Sequence, residues 1–191
     1  MKKMTAFLAV LCAMALSSAV AQSQPITAEL SFSYTRQSGS GSNQFAVWIE
    51  DARGNYVKTL YATRFTASGG WERRPLSILQ WVKQSGLAKL SKSQIDAFTG
   101  PTPKPGKLTY RWDGTNQAGT AASAGEYRLF LEATLRNENR VVYSAVIPLS
   151  GSVAGAPRRN TEVKTEYFGN ANGAGTAERG MIGGVQVLVG E

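Results

Sequence analysis

From Ile26 to Tyr34 apolar and polar residues alternate. Ile26, Ala28, Leu30, Phe32 and Tyr34 fall on one side, and Thr27, Glu29, Ser31 and Ser33 on the other. A period of two is that of a half-buried strand, because successive side chains of an extended chain point to opposite faces. Arg36 to Asn43 is rich in Gly and Ser and reads as a loop. Phe45-Ala46-Val47-Trp48-Ile49 is an unbroken apolar run that predicts a second strand. A turn at Asp51 to Asn55 and a third strand at Tyr56 to Thr63 then make a hairpin. Ser68-Gly69-Gly70 interrupts the strands, and the period changes. Pro75 suits the first turn of a helix. Leu76, Leu79 and Val82 recur every third residue, with Ile78 and Trp81 widening that face, and Gly86 is placed to end the helix. Ser91-x-x-Gln94 has the form of a capping box, which predicts a short helix to about Phe98.

A Pro-rich loop from Pro101 to Gly106 leads back to extended structure. Leu108, Tyr110 and Trp112 share one face, as do Tyr127, Leu129, Leu131 and Ala133, and Val141 to Leu149 is a further strand whose Pro148 suits an edge or an end. After Ser150 the composition shifts to Gly, Ala and Asn, with strands expected at Glu162 to Phe168 and Val185 to Val189 around a Gly-rich loop. Six or seven short strands with regular turn signals predict a mainly β chain. The expectation is an immunoglobulin-like antiparallel β-sandwich over residues 22–150 with a helical insertion at about 72–98, then a Gly-rich extension over 151–191.

The first 21 residues follow another rule. Lys2 and Lys3 precede an apolar stretch from Met4 to Leu16, and Ala19-x-Ala21 ends it, the form of a signal peptide cleaved after Ala21. That stretch is shorter than the ~20 apolar residues needed to span a bilayer, and no later segment is long and apolar enough. The expected destination is the periplasm, with no transmembrane segment in the mature chain. The formal net charge is +8, but beyond Lys2-Lys3 its basic residues are scattered, with only pairs such as Arg73-Arg74 and Arg158-Arg159. Together with export, that argues against nucleic acid as a partner.

Export also removes Cys12, the single cysteine, and the chain has no histidine. The mature chain therefore lacks the side chains for disulfides, thiolate nucleophiles, Cys/His metal sites, His-ligated haem and any triad with a histidine base. No calcium-loop spacing of acids is present, nor a Gly-x-Ser-x-Gly elbow. Three prolines within Gly100 to Lys107 remove the N–H donors that a phosphate loop needs. Glu50 and Asp51 are adjacent, so on a strand they face opposite sides. Trp48, Trp71, Trp81 and Trp112 each sit in a core-like pattern. The expectation is no catalytic residue and no metal ligand.

The most distinctive stretch is Trp112-Asp113-Gly114-Thr115-Asn116 to Gly119, followed by Ala124-Gly125-Glu126-Tyr127. Asp113 and Asn116 suit turns closed by side-chain acceptance from nearby N–H groups. It resembles the turn of the immunoglobulin-like domain in flagellar hook-capping proteins. The longer series runs from Ala46-Val47-Trp48-Ile49-Glu50-Asp51 through the Gly54 to Leu60 hairpin and the Trp71–Trp81 helix. It continues with Asp96-Ala97-Phe98-Thr99-Gly100-Pro101-Thr102-x-x-Pro105-Gly106 to the Trp112-Asp113-Gly114 turn. That order resembles the predicted periplasmic family called domain of unknown function 2271, over roughly residues 28–149. Where the family commonly has a histidine before the second strand, this chain has Asn43-Gln44.

The resemblance implies association with PepSY-type inner-membrane proteins and with enzymes that attach FMN to exported proteins. The attachment motif of FMN-carrying domains is similar to Asp96-x-x-Thr99-Gly100-Pro101-Thr102, with Pro101 standing where that motif has Ala. It implies a phosphoester between FMN and the Thr102 hydroxyl, Gly100 allowing close approach of the modifying enzyme, and Asp96 orienting a Mg²⁺ on the phosphate. The leading expectation is a non-catalytic periplasmic accessory or interaction domain without a cofactor. The alternatives are a redox module carrying covalent FMN on Thr102, and a binder of a small ligand or envelope polymer.

Overall fold

The computed structural model describes residues 28–38, 41–149, 157–169 and 180–190. The signal-peptide segment and the Ile26-Thr27 start of the first predicted strand lie outside the described residues. Ten strands follow in chain order: β1 (Ala28–Tyr34), β2 (Gln44–Asp51), β3 (Tyr56–Thr63), β4 (Thr99–Gly100), β5 (Gly106–Trp112), β6 (Gly125–Arg136), β7 (Asn139–Leu149), β8 (Arg159–Thr161), β9 (Val163–Phe168) and β10 (Ile182–Val189). They form a four-stranded sheet, β5-β1-β10-β8, and a six-stranded sheet, β4-β3-β2-β6-β7-β9. The chain is thus mainly β, a sandwich of two sheets. All the pairings are antiparallel except one, in which the two-residue β4 lies parallel to β3.

Alternation positions the core. Ala28, Leu30, Phe32 and Tyr34 of β1 meet Phe45, Val47 and Ile49 of β2 and Leu129, Leu131 and Ala133 of β6, all buried between the sheets. The unbroken apolar run of β2 has its own cause. Ala46 and Trp48 face outward, where they form a second core with Phe130, Val142, Ile78, Trp81, Leu87 and Phe98. The segment between β3 and β4 therefore lies as a layer on the six-stranded sheet, and β2 is covered on both sides.

That layer departs from the predicted single helix that opens at Pro75 and ends at Gly86. Its α-helical pieces are the short α1 (Trp71–Arg73), α2 (Leu79–Gln84) and α3 (Lys92–Asp96), with a kinked turn at Thr66–Gly70 and a 3-10 turn at Leu87–Lys89. Ile78 adopts a left-handed conformation with φ 42°, which is costly for a β-branched residue. The sheet holds it there. The Ile78 N–H donates to Thr134 Oγ1 at 3.0 Å, and two N–H groups of α2 donate to the Glu132 carboxylate, Gln80 at 3.2 Å and Trp81 at 2.9 Å. Ile78 is fully buried, while Leu76, expected on the buried face, is 48% exposed. The predicted capping box is present: Gln94 N–H donates to Ser91 Oγ at 3.3 Å and Ser91 N–H to Gln94 Oε1 at 2.8 Å.

β8, β9 and β10, which follow Ser150 in the chain, are strands of the two sheets. β10 lies between β1 and β8, with Leu30 opposite Val187 and Ala28 opposite Val189, and β9 extends the other sheet beyond β7. The chain crosses between the sheets at Glu162. Pro148 stands opposite Glu126 near the end of β7, beyond the stretch from Arg140 to Ala145 that pairs with β9, so its missing N–H leaves that ladder intact.

Candidate functional site

β4 and β5 are the edge strands of the two sheets, and Pro101 to Pro105 carries the chain from one edge to the other. The Asp96–Thr102 motif lies at this open side. Asp96 is the exposed last residue of α3. Phe98 is buried edge-on to Trp81, with ring centroids 6.0 Å apart, and its carbonyl accepts from Ala62 N–H at 3.1 Å. Thr99 and Gly100 then pair with Ala62 and Thr63. Gly100 rests on the ring of Tyr61, where a Cβ would come within 2.8 Å of a ring carbon; glycine is required by close approach. The Tyr61 hydroxyl donates to the Pro101 carbonyl at 2.5 Å, which pins the backbone just before the half-buried Thr102. The Thr99 hydroxyl oxygen is buried with no hydrogen-bond partner.

Behind this stretch lies a cluster of rings. Tyr61 is 5.1 Å from Tyr110 and 5.3 Å from Phe45, and Tyr110 stacks on Phe32 at 6.1 Å. Burial pushes the Tyr61 and Tyr110 phenols up from their ordinary value, so both are neutral donors at pH 7. The cluster can hold a planar group or cover the sandwich edge.

The Trp112 turn is built as its residues suggest. Asp113 Oδ1 accepts from Thr115 N–H at 3.1 Å, from the Thr115 hydroxyl at 2.7 Å and from Lys58 Nζ at 2.9 Å. Burial alone would raise that carboxyl, but these donors outweigh it and hold it below the usual range. Asn116 Oδ1 accepts from the N–H groups of Ala118 and Thr120, each at 3.0 Å. Trp112 Nε1 donates to the Thr115 carbonyl at 2.8 Å, and its ring lies 5.0 Å from Tyr127. Beside this turn is an open hollow of about 490 Å³ lined by Tyr56, Val57, Gln117, Ala122 and Tyr127. Trp48, Trp81 and Trp112 are fully buried, and the partly buried Trp71 packs against the second core.

Asn43, where the family commonly has a histidine, is a structural lock. At φ 66°, its Oδ1 accepts from the Tyr34 hydroxyl at 2.9 Å and Gln37 N–H at 2.8 Å, and its Nδ2 donates to the Gln37 carbonyl at 2.8 Å. Sequence reasoning missed the polar groups beneath the helical layer. Glu132 is wholly buried and paired with Arg140 at 2.9 Å. Glu50 is buried with Trp48 Nε1 donating to it at 2.7 Å, and burial raises both carboxyls. Thr66 joins Gln44 to Ser77 through hydroxyl contacts of 3.2 and 2.9 Å. The signal available was the apolar character of Trp48 and Phe130 on a face that should otherwise meet water.

Among the described residues, no group of three or more Asp, Glu, His or Cys could hold a metal ion, and no helix is long and apolar enough to cross a membrane. The contacts join Tyr61 to Gly100 and Pro101, the two residues just before Thr102 in the chain. No curated protein and no solved structure gave a significant match. The family model described as "Predicted periplasmic protein (DUF2271)" matches residues 26–166. That match spans the sandwich from β1 through the helical layer and the Trp112 turn into β9, so this chain belongs to that periplasmic family.

Proposed function

We propose that this is a non-catalytic periplasmic accessory domain, a rigid β-scaffold that engages a partner protein, with a PepSY-type inner-membrane protein as the partner that the resemblance implies. The observation supporting this reading is where the acids are spent. Asp51 closes its own turn by accepting from Arg53 and Asn55, Asp113 does the same with Thr115 and Lys58, and Glu132 fastens the helical layer. For Asp51 and Asp113, whose carboxyls are held below the usual range, these donors make each a poor general base, because they stabilise the ionised form that would have to take the proton. The test is size-exclusion chromatography of the purified protein with a detergent-solubilised PepSY-type protein from the same cell envelope. Co-elution supports the reading. Separate elution of the two, or robust hydrolase or transferase turnover by the protein alone, overturns it.

A second reading is favoured by the stretch around Thr102: a redox module with FMN esterified to the Thr102 hydroxyl. The close packing of Gly100 on Tyr61, the pinned Pro101 carbonyl and the unpartnered Thr99 hydroxyl suit a segment held open for an added group. The flavin would supply one- or two-electron transfer. The chain's part is to present the hydroxyl and to keep the loop fixed. Protein made in the periplasm beside the flavin-attaching enzyme should absorb in the visible and carry added mass, and Thr102→Ala should lose both. Colourless protein of unmodified mass ends this reading.

A further inference from the structure

We propose that two copies of this chain associate edge to edge through β9, antiparallel, about a two-fold axis at Thr165. This inference rests on neither reading above. β9 is the last strand of the six-stranded sheet; one edge pairs with β7, and among the described residues no strand pairs with the other. It is six residues long, holds no proline, and its register with β7 runs without a bulge from Arg140 opposite Phe168 to Ala145 opposite Val163. Every residue from Lys164 to Phe168 is exposed. Among the described residues no strand covers this edge, and neither a proline nor a bulge within it blunts it.

The charges choose the occupant and the register. Lys164 and Glu166 are two residues apart, so they share the outer face of the sheet, and neither makes an ion pair among the described residues. A two-fold axis normal to the sheet keeps each strand's faces in place. Centred on Thr165, it sets Lys164 opposite Glu166 of the second copy, and does so twice. Thr165 then meets itself, and Val163 meets Tyr167 on the other face. Centring the axis on Glu166 sets Glu166 against itself, and centring it on Lys164 sets Lys164 against itself. Opposite charges across an antiparallel pair stabilise it and like charges destabilise it, so one register is selected and the partner that satisfies it is the same strand reversed. A single six-residue edge is a small interface, so the dimer is weak.

The test is sedimentation velocity on protein purified from the periplasm, over a concentration series reaching about 1 mM, where a weak pair is populated. The wild type should show a monomer–dimer equilibrium. Lys164→Glu alone and Glu166→Lys alone should each weaken it at least tenfold, because each places like charges at both contacts. An equimolar mixture of the two single variants should recover the dimer, since one copy then carries two acids and the other two lysines, and both contacts join opposite charges. The double variant Lys164→Glu/Glu166→Lys, with unchanged net charge, should match the wild type. A wild type that stays monomeric to the top of the series overturns the proposal, as do single variants that dimerise like the wild type or a mixture that fails to recover.

Discussion

At the scale of single residues, the cost or gain of a polar group depends on whether it finds a partner inside. The Thr99 hydroxyl finds none, although it is buried. Thr99→Val keeps the shape and removes the unmet group, so it should stabilise the protein by about 1 kcal/mol, read from the urea midpoint. Two carboxyls separate by sign. The Arg111 hydrogen bond, opposed by burial and joined by Arg158, holds Glu29 below its ordinary value of 4.5. Its contribution is present above about pH 4.5 and is lost as pH falls through the lowered folded value. Burial raises Glu50 against the Trp48 N–H. The folded state therefore binds the extra proton above about pH 4.5, and stability falls as pH rises through that window. Unfolding free energies measured from about pH 3 to about pH 7 should show the advantage of wild type over Glu29→Gln growing with pH. The difference between wild type and Glu50→Gln should move the opposite way. Slopes of the same sign would contradict this account.

At the scale of elements, one carboxylate makes several of the ties between the helical layer and the sheet. Glu132, on β6, receives two N–H groups from the start of α2 and the guanidinium of Arg140 from β7. Glu132→Ala leaves those donors without an acceptor in a buried place, which costs about 3–5 kcal/mol. Hydrogen exchange should then rise first in α2, before the strands. Ser91→Ala removes one half of the capping box of α3 and should cost about 1 kcal/mol. Because α3 is short and largely exposed, the loss should appear in the amides of α3 with little change in the β7 ladder. β9 is the contrasting element. Its partner on one side is β7, and its other side is where the complementary Lys164 and Glu166 define a self-pairing register.

At the scale of the whole molecule, the order of strands in space differs from their order in the chain. β1, near one end, is paired along its length by β10, near the other. A chain stopped at Leu149 keeps every residue of the Trp112 turn and of the Asp96–Thr102 stretch. It loses Met181, Ile182, Val187 and Val189 from the core, and with them one side of β1. Such a truncation should fail to give a cooperative unfolding transition, and near-ultraviolet circular dichroism should lose the signal of its packed aromatic residues. A truncated chain that melts like the full one would show that β10 is dispensable. The same pairing makes the four-stranded sheet non-local, so it should form late in folding.

Local chemistry decided what the sequence could determine. Alternation set the inward faces of β1 and β6, and Asp113, Asn116, Ser91 and Gln94 formed the turns and cap that their spacing implies, because those interactions join near neighbours in the chain. The family was legible for a similar reason, since its motifs lie at turns and strand ends with fixed local geometry. Tertiary structure alone decided the rest. Ile78 leaves the helix because Thr134 and Glu132, far along the chain, hold its backbone and that of its neighbours. Glu132 and Glu50 are buried because the helical layer folds over the outer face of the six-stranded sheet. β10 enters the sandwich because β1 has a second edge to fill. Each of these outcomes depends on a contact between distant segments, and a residue's neighbours in sequence carry no record of such a contact.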